Sequence, residues 1–325
     1  MNHAAIVNAL DSPIFGKSLL SAYLRVNEAL FRRLPSPAMR LAPLRAYGEL
    51  LNAIVRLRTN RTSYFGTFFM RNRPLLELAV RLIDRDHKAS VHYQVAVVAC
   101  SIGAEVYSIS RTLRACCPAR TFSINAVDIS PEAVEFARTG IYALAGSGFT
   151  DENIFACLSE REMDEFFHAE DGRMRVRDWI REGIAWRSGN AADSAIADVL
   201  GPQDVVFANN FLCHLHPAVA EKCLRNIVTL VKPGGYLFVS GVDLDVRARV
   251  ARELALEPVT EMIEEIHEGD SALRKSWPFR YWGLEPFNRR RHDWEWRYAS
   301  AFCVGAGSSG ATGRQSRKPV SSPAG

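Results

Sequence analysis

The chain has 325 residues, of which 48% are hydrophobic, and is long enough for one large domain or two modest ones around a buried core. Its net charge of +4 is too small to indicate a nucleic-acid partner. The seven cysteines are scattered without a C-x-x-C pair, so neither a disulfide framework nor a metal site is predicted. Every apolar run is shorter than the roughly 18 residues of a membrane span. Asp11 and Lys17 interrupt the N-terminus, so we predict no secretory signal and a cytoplasmic location.

The first 62 residues are predicted to form a helical N-terminal domain. Their apolar positions recur at spacings of three and four, and Pro35, Pro37 and Pro43 punctuate the region. Nine of these residues are basic and three are acidic. The basic side chains can form a solvated helix face, or they can form a surface that docks an acidic partner.

From residue 91 onward, strand-like and helix-like segments alternate. This alternation predicts a parallel sheet covered by helices, and ligands of such sheets bind beyond the carboxyl ends of the strands. A final hairpin is expected to end in residues 298–304. Strands are predicted at 91–100, 122–128, 184–188, 204–208 and 236–240, and helices at 105–115, 131–138 and 217–231.

The segment from Val97 to Ser110 leads from an apolar strand through a loop of small residues directly into a helix. It contains one glycine, Gly103, and lacks the G-x-G-x-x-G spacing, which argues against a dinucleotide. Asp128 closes the next apolar segment, where an acidic side chain can accept hydrogen bonds from a ribose. Each piece alone also fits an ordinary tight turn or a helix cap, but their order and spacing indicate an adenosyl cofactor.

Four segments match, in chain order, the motifs of one known family. They are Thr67-Phe-Phe-Met-Arg71, Ala99-Cys-Ser-Ile-Gly-Ala-Glu-Val-Tyr-Ser-Ile109, Ala126-Val-Asp-Ile129 with Ala137-Arg-Thr-Gly-Ile-Tyr142, and Lys232-Pro-Gly-Gly-Tyr-Leu237. They resemble T-x-F-F-R, G-C-S-x-G-E-E-x-Y-S-I, A-x-D-I followed by A-x-x-G-x-Y, and P-G-G-Y-L. These motifs belong to the CheR-type S-adenosylmethionine-dependent methyltransferases, which esterify glutamate side chains of bacterial chemoreceptors. The resemblance extends from about Thr67 to Gly241.

The resemblance implies a class I methyltransferase fold of the Rossmann-like α/β class. This fold has a seven-stranded, mostly parallel sheet whose last strand is antiparallel, and a small helical domain precedes it. We therefore expect a helical domain at 1–62 and a methyltransferase domain at 63–304. The composition of residues 305–325, rich in glycine, serine, proline and alanine, predicts a disordered tail.

The same resemblance implies S-adenosyl-L-methionine as the cofactor and assigns residues to it. Thr67 and Arg71 match positions near the methionyl end and the methyl-transfer centre. Glu105 and Asp128 match the acids that hold the amino-group region and the ribose. Arg71 can anchor an anionic acceptor or orient the cofactor carboxylate, and otherwise it pairs with a nearby glutamate. The predicted cofactor-binding residues are Thr67, Arg71, Cys100, Gly103, Glu105, Asp128, Asn190 and Asn210.

The sequence departs from the family pattern on the acceptor side. Where the family has C-R-N-x-x-I-Y-F, Asn209 replaces the arginine and His214 replaces the tyrosine. A carboxylic acid is ionised near neutral pH and needs no general base, whereas a hydroxyl, phenol or amine acceptor benefits from a histidine. Alternatively, His214 fills the space of the tyrosine and donates one hydrogen bond. The candidate catalytic residues are Arg71, Asn209 and His214.

Three functions follow from these residues. The first is an O-methyltransferase that modifies a carboxylate oxygen of an acceptor protein, as in glutamate methylation. The second is methylation of a small-molecule metabolite at a hydroxyl, amine or carboxyl group. The third is a non-catalytic scaffold or sensor that binds S-adenosylmethionine. The aromatic and arginine-rich segment 277–299 can pack onto the last hairpin or can line an acceptor pocket.

Overall fold

The computed structural model describes residues 13–14, 17–34, 41–58, 67–85, 92–144, 153–269, 277–279 and 283–305. Within these ranges, no helix is long and apolar enough to cross a membrane. The helices, numbered in chain order, are α1 Leu19–Phe31, α2 Ala42–Arg58, α3 Arg73–Arg85, α4 Ala104–Cys116, α5 Pro131–Thr139, α6 Glu160–Phe166, α7 Asp178–Arg181, α8 Ile196–Leu200, α9 Pro217–Thr229, α10 Leu244–Glu253, α11 Ile263–Glu268 and α12 Trp294–Tyr298. The strands are β1 Pro13–Ile14, β2 Lys17–Ser18, β3 His92–Val98, β4 Thr121–Asp128, β5 Ile141–Ala143, β6 Phe167–Glu170, β7 Arg173–Val176, β8 Ile184–Ser188, β9 Gln203–Asn209, β10 Val231–Ser240, β11 Glu257–Pro258 and β12 Ala301–Cys303.

A seven-stranded sheet forms the centre of the molecule, in the order β11-β12-β10-β9-β3-β4-β8. The five strands from β10 to β8 pair in parallel, and β12 runs antiparallel between β10 and β11. This confirms the predicted class I topology, including the antiparallel last strand. Because the parallel strands share one direction, β3, β4, β9 and β10 end at the same edge of the sheet.

Each face of the sheet is covered by its own hydrophobic core. Side chains of β3 alternate between the two cores, with Val95 and Val97 on one side and Ala96 and Val98 on the other. Helices α3 and α4 contribute to the first core, and α9 and α10 contribute to the second. Both faces are therefore apolar, as is typical of a parallel sheet covered by helices.

A small antiparallel sheet, in the order β5-β7-β6, is inserted between α5 and β8 and was not predicted. Its strands have only three or four residues, which is too short for a visible alternation of polar and apolar positions. Helix α6, which leads into it, starts at a capping box formed by Ser159 and Glu162. The last two residues of the motif that ends at Tyr142 already belong to β5, the first strand of this sheet.

Helices α1 and α2 confirm the small helical part that precedes the sheet. Arg45 of α2 donates hydrogen bonds to the main-chain oxygens of Pro286 and Phe287, and Asn52 Nδ2 donates to the oxygen of Pro278 at 3.1 Å. The helical region is thereby attached to the C-terminal aromatic segment. The division at residues 62 and 304 stays a prediction, and residues 306–325 of the predicted tail lie outside the described residues.

Candidate functional site

A cavity of about 170 Å³ lies where β3, β4, β9 and β10 end. The edge of the sheet that the sequence singled out is therefore the edge that carries the cavity. Eight of the residues predicted for the site line it, namely Thr67, Arg71, Cys100, Glu105, Asp128, Asn209, Asn210 and His214.

Asp128 fixes the loop that follows β3. Its carboxylate accepts a hydrogen bond from the Ser101 amide at 2.8 Å and from the Ser130 amide at 3.0 Å. The side chain is 6% exposed. One acidic residue thus joins the ends of β3 and β4, which places its oxygens at the cavity wall.

The pKa of the neighbouring Cys100 thiol is raised well above its ordinary range by burial, so this thiol is neutral.

Glu105 stands in the first turn of α4 and faces Asn209 at the end of β9. Asn209 Nδ2 donates a hydrogen bond to Glu105 Oε1 at 2.7 Å, and the Ser240 hydroxyl donates to Asn209 Oδ1 at 2.9 Å. Burial raises the pKa of Glu105, while the hydrogen bond from Asn209 and the charge of Arg71 act in the opposite direction. Three predicted residues are therefore electrostatically connected within the cavity.

Arg71 brings a positive charge to the cavity wall, and it lies in the short segment that precedes α3. Its guanidinium carbon lies 5.5 Å from the centre of the Phe68 ring, within the range of a cation–π contact. The preceding Met70 amide is held by the Ser108 hydroxyl at 2.9 Å, which attaches this segment to α4. Arg71 and Glu105 thus bring opposite charges to the same cavity.

The backbone around the cavity adopts an uncommon conformation. Met70, Ala99, Ser101 and Asn210 have φ values of 54°, 59°, 49° and 60°, in the left-handed region that residues other than glycine rarely occupy. Such strain costs about 1–3 kcal/mol per residue and persists where the surrounding structure enforces it. Ala99, Ser101 and Asn210 line the cavity and Met70 precedes Arg71, so four of the seven such residues in the described part of the chain lie in or next to the cavity wall.

His214 closes the 3₁₀ turn Leu212–His214 and lines the cavity. The turn is held by the Cys213 amide, which donates to the Gly241 oxygen at 2.7 Å. Cys213 also packs against Val55 of α2, with Leu24 of α1 beside it. The helical region therefore supports the turn that carries His214.

Gly103 and Asn190 lie outside the cavity lining, and their predicted cofactor contacts stay predictions. Gly103 has a φ of 91° and precedes α4, and a Cβ there would lie 3.0 Å from Ala137 and Trp186, so this turn requires glycine. Asn190 is exposed after β8, and its Oδ1 accepts from the Ala192 amide at 2.9 Å.

The sequence reading missed several lining residues, chiefly Phe68, Asn72, Phe211 and Ser240. Ser240 could have been found, because it ends a predicted strand at the edge where ligands bind. Among the described residues of the C-terminal aromatic segment, none lines the cavity. Trp277 instead packs on Gly48, and Phe287 packs on Tyr298. Among all the residues that the structure describes, no group of three or more His, Cys, Asp or Glu side chains could hold a metal ion.

Comparison with known proteins gives a family for this arrangement. A family model described as the S-adenosylmethionine-binding domain of CheR methyltransferase matches residues 65–246. The chemotaxis protein methyltransferase of Vibrio parahaemolyticus is 29% identical over 198 residues, which are 59% of this chain and 67% of that protein. The chemotaxis protein methyltransferase of Salmonella typhimurium is 31% identical over 189 residues, or 56% of this chain and 59% of that protein.

Among solved structures, the similar proteins include CalS10, an amino pentose methyltransferase from Micromonospora echinaspora with bound S-adenosylmethionine. It is 14% identical, covers 55% of this chain and 52% of its own, and has a TM-score of 0.30. A similarity this low adds nothing to the assignment, which rests on the family model. That model covers more than half of the chain, so the chain belongs to the CheR methyltransferase family and is an S-adenosylmethionine-dependent methyltransferase.

Proposed function

We propose that the protein transfers the methyl group to a carboxylate oxygen of an acceptor protein, with a glutamate side chain as the target. The observation that carries this proposal is the meeting of Arg71 and Glu105 in one cavity at the carboxyl edge of the sheet. Relatives named chemotaxis protein methyltransferases support a protein acceptor.

The cavity fits the cofactor on the chemistry of its walls. An amino acid end carries an ammonium and a carboxylate, and Glu105 and Arg71 present one charge of each complementary sign. Asp128 offers carboxylate oxygens at the end of β4, where a ribose can donate hydrogen bonds. We propose that these three residues, with Thr67 and Asn210, hold the cofactor. When bound, S-adenosylmethionine supplies an already activated methyl group on a sulfonium.

The remaining task of the protein is orientation. A carboxylate acceptor is ionised near neutral pH, so no side chain has to remove a proton from it. The apolar part of the lining, which includes Phe68, Leu75 and Phe211, excludes water from the space between donor and acceptor. The guanidinium of Arg71 can hold the carboxylate of the cofactor in a fixed plane, which fixes the direction of the methyl group. Alignment of acceptor and methyl carbon at near-attack distance then accounts for the rate enhancement.

The N-terminal helices supply a surface for the acceptor protein. Arg25, Arg32 and Arg33 are exposed on or directly after α1, although Arg32 also pairs with Glu28. The helical region contacts the turn with His214 through Val55 and Cys213. An acidic segment bound on this surface would therefore lie on the part of the molecule that supports the acceptor side of the cavity.

A second candidate is methylation of a hydroxyl or amine on a small metabolite, and His214 is the observation that favours it. This side chain lines the cavity at the position where the family has tyrosine. A histidine can accept the proton that a hydroxyl or an ammonium must lose.

The two candidates differ in the stability of the product. The purified protein is incubated with tritium-labelled S-adenosylmethionine and receptor peptides that contain glutamate pairs, with matching glutamine peptides as the control. The carboxylate proposal predicts label that mild base releases as methanol, and none on the glutamine peptides. Base-stable label on a metabolite extract would support the second candidate. Cofactor binding without any transfer would instead indicate a scaffold.

A further inference from the structure

Both the oxygen and the nitrogen of the Asn209 side-chain amide are hydrogen-bonded. Asn209 and Ser240 are partners in the parallel register of β9 and β10 and both stand at the strand ends. The Ser240 hydroxyl donates to Asn209 Oδ1 at 2.9 Å, and Asn209 Nδ2 donates to Glu105 Oε1 at 2.7 Å. A rotation that exchanged the oxygen and the nitrogen of this amide would turn Oδ1 toward the carboxylate of Glu105, which has no hydrogen to donate, and would break that hydrogen bond. Asn209 is only 6% exposed, so the amide is largely shielded from water.

The carboxylate that receives this hydrogen bond lies in an environment that disfavours its charge. Burial raises the pKa of Glu105, and the opposing influences are Asn209 and Arg71. The other titratable groups that line the cavity around it are Cys100, Asp128 and His214. Asn209 donates a hydrogen bond without bringing a charge, so it favours the carboxylate without adding a positive charge that would compete with a cationic ligand.

We propose that Asn209, oriented by Ser240, is a positioning residue that keeps Glu105 ionised and aimed at the ammonium group of the cofactor. The inference rests on the proposed role of Glu105 but not on the identity of the acceptor. Asn209 then acts through Glu105 rather than by contact with the acceptor.

The test is the pH dependence of S-adenosylhomocysteine binding, measured by calorimetry between pH 5 and 8.5. An ammonium binds the ionised carboxylate, so affinity falls when the pH drops below the pKa of Glu105 in the free protein. Asn209→Leu removes the hydrogen bond at similar volume and raises that pKa further. We expect the fall in affinity to begin about one pH unit higher, so that the loss relative to the wild type approaches about tenfold at the acidic end of the range.

Two further variants separate positioning from packing. Ser240→Ala removes the hydrogen bond that orients the Asn209 amide but keeps the Nδ2 donor. This variant should shift the pH profile in the same direction as Asn209→Leu, by about half as much. In a Glu105→Gln background, Asn209→Leu should change the pH profile no further, because both variants act through one carboxylate. Asn288→Leu, in the C-terminal segment away from the cavity lining, is the matched control and should retain the wild-type profile.

A pH profile that is unchanged in folded Asn209→Leu would overturn the proposal. An equal loss of affinity at every pH would also overturn it, since that result indicates packing alone. If Asn209→Leu does not fold, as judged by circular dichroism, the Ser240→Ala profile decides in the same way. The assay contains no acceptor, so failure of the carboxylate proposal leaves this test unaffected.

Discussion

Two glutamates lie in the interior of this protein, and their surroundings shift their pKa values in opposite directions. At Glu105, burial raises the pKa and the contributions of Asn209 and Arg71 do not cancel this effect. At Glu285, burial also raises the pKa, but hydrogen bonds from Arg297 at 2.6 and 2.8 Å and from Tyr298 at 2.7 Å lower it below the ordinary value. The first carboxylate lines a cavity, and the second lies within a closed ion-pair network.

The difference shows how one chain uses the same side chain for binding and for stability. Glu285 is bonded to Arg297, which also pairs with Asp245 at 2.6 Å, and Glu285 does not line the cavity. Glu105 accepts a hydrogen bond from the amide of Asn209 and lines the cavity, where a ligand can reach its carboxylate. A carboxylate with a raised pKa inside a cavity marks a candidate functional site.

Loss of the charge at Glu285 should have the largest effect. Glu285→Gln leaves the buried guanidinium of Arg297 with one partly exposed partner, and we expect the free energy of unfolding to fall by about 3 kcal/mol in urea denaturation. The affinity of the folded protein for S-adenosylhomocysteine should stay within about twofold, since the network is outside the cavity lining. A loss of less than about 1 kcal/mol would place Glu285 with the ordinary surface pairs.

His267 should give the same region a dependence on pH. Its ring Nε2 is hydrogen-bonded to the main-chain oxygen of Glu285 at 2.7 Å, and burial lowers its pKa from 6.5 to about 4. Below pH 6.5 the imidazole of His267 binds a proton in the unfolded chain but not in the folded protein. The contribution of His267 to the free energy of unfolding is therefore complete above pH 6.5 and is lost as the pH falls to about 4. The expected loss is about 3 kcal/mol.

Denaturant titrations at several pH values test this expectation, with His267→Gln as the comparison. The variant is less stable at pH 7.5 because the ring is lost from the core, but its stability should fall less steeply between pH 6.5 and 4. Parallel curves for the two proteins would show that His267 does not titrate in this window.

Glu105→Gln should show the reverse pattern to Glu285→Gln. A neutral side chain removes a desolvated charge, so we expect the free energy of unfolding to be unchanged or slightly higher. The affinity for S-adenosylhomocysteine should fall by about 30-fold, because a hydrogen bond to a charged group is worth about 2 kcal/mol. A variant that loses stability but not affinity would remove the distinction between the two glutamates.

The smallest expected effect is on the acceptor side. A carboxylate acceptor requires no base, so His214→Phe should change the rate of methyl transfer to glutamate peptides by less than about threefold. A hydroxyl or amine acceptor would instead lose about two orders of magnitude. Single-turnover rates, with the cofactor bound in advance, separate this change from any change in affinity.

The parallel strands of the sheet could be predicted from sequence because each has five or more residues and most are apolar. The strand predicted at 184–188 coincides with β8, the one at 122–128 begins one residue after β4, and the one at 204–208 is one residue shorter than β9 at each end. The start of β10 was missed because Pro233, Gly234 and Gly235 read as a stop, whereas the strand passes through them with a shift in register between Val231 and Tyr236.

The residues that line the cavity could be predicted where they stand at the end of a strand or within a motif. Asp128 and Glu105 were found in this way. The connection from Ser240 through Asn209 to Glu105 was not, because it joins residues from three separate elements and depends on side-chain orientation. Asn209, which was predicted to face the acceptor, therefore has its side-chain hydrogen bonds with Glu105 and Ser240.

The attachment of α2 to the C-terminal segment has a consequence for biosynthesis. Arg45 and its partners Pro286 and Phe287 are separated by 241 and 242 residues. At the usual ribosomal speed of about 5–20 residues per second, the partner segment is made roughly 10 to 50 s after the helix. The helix that supports the turn with His214 must wait for this segment before its packing is complete. Catalytic competence should therefore arise late in synthesis, after the parallel strands have formed.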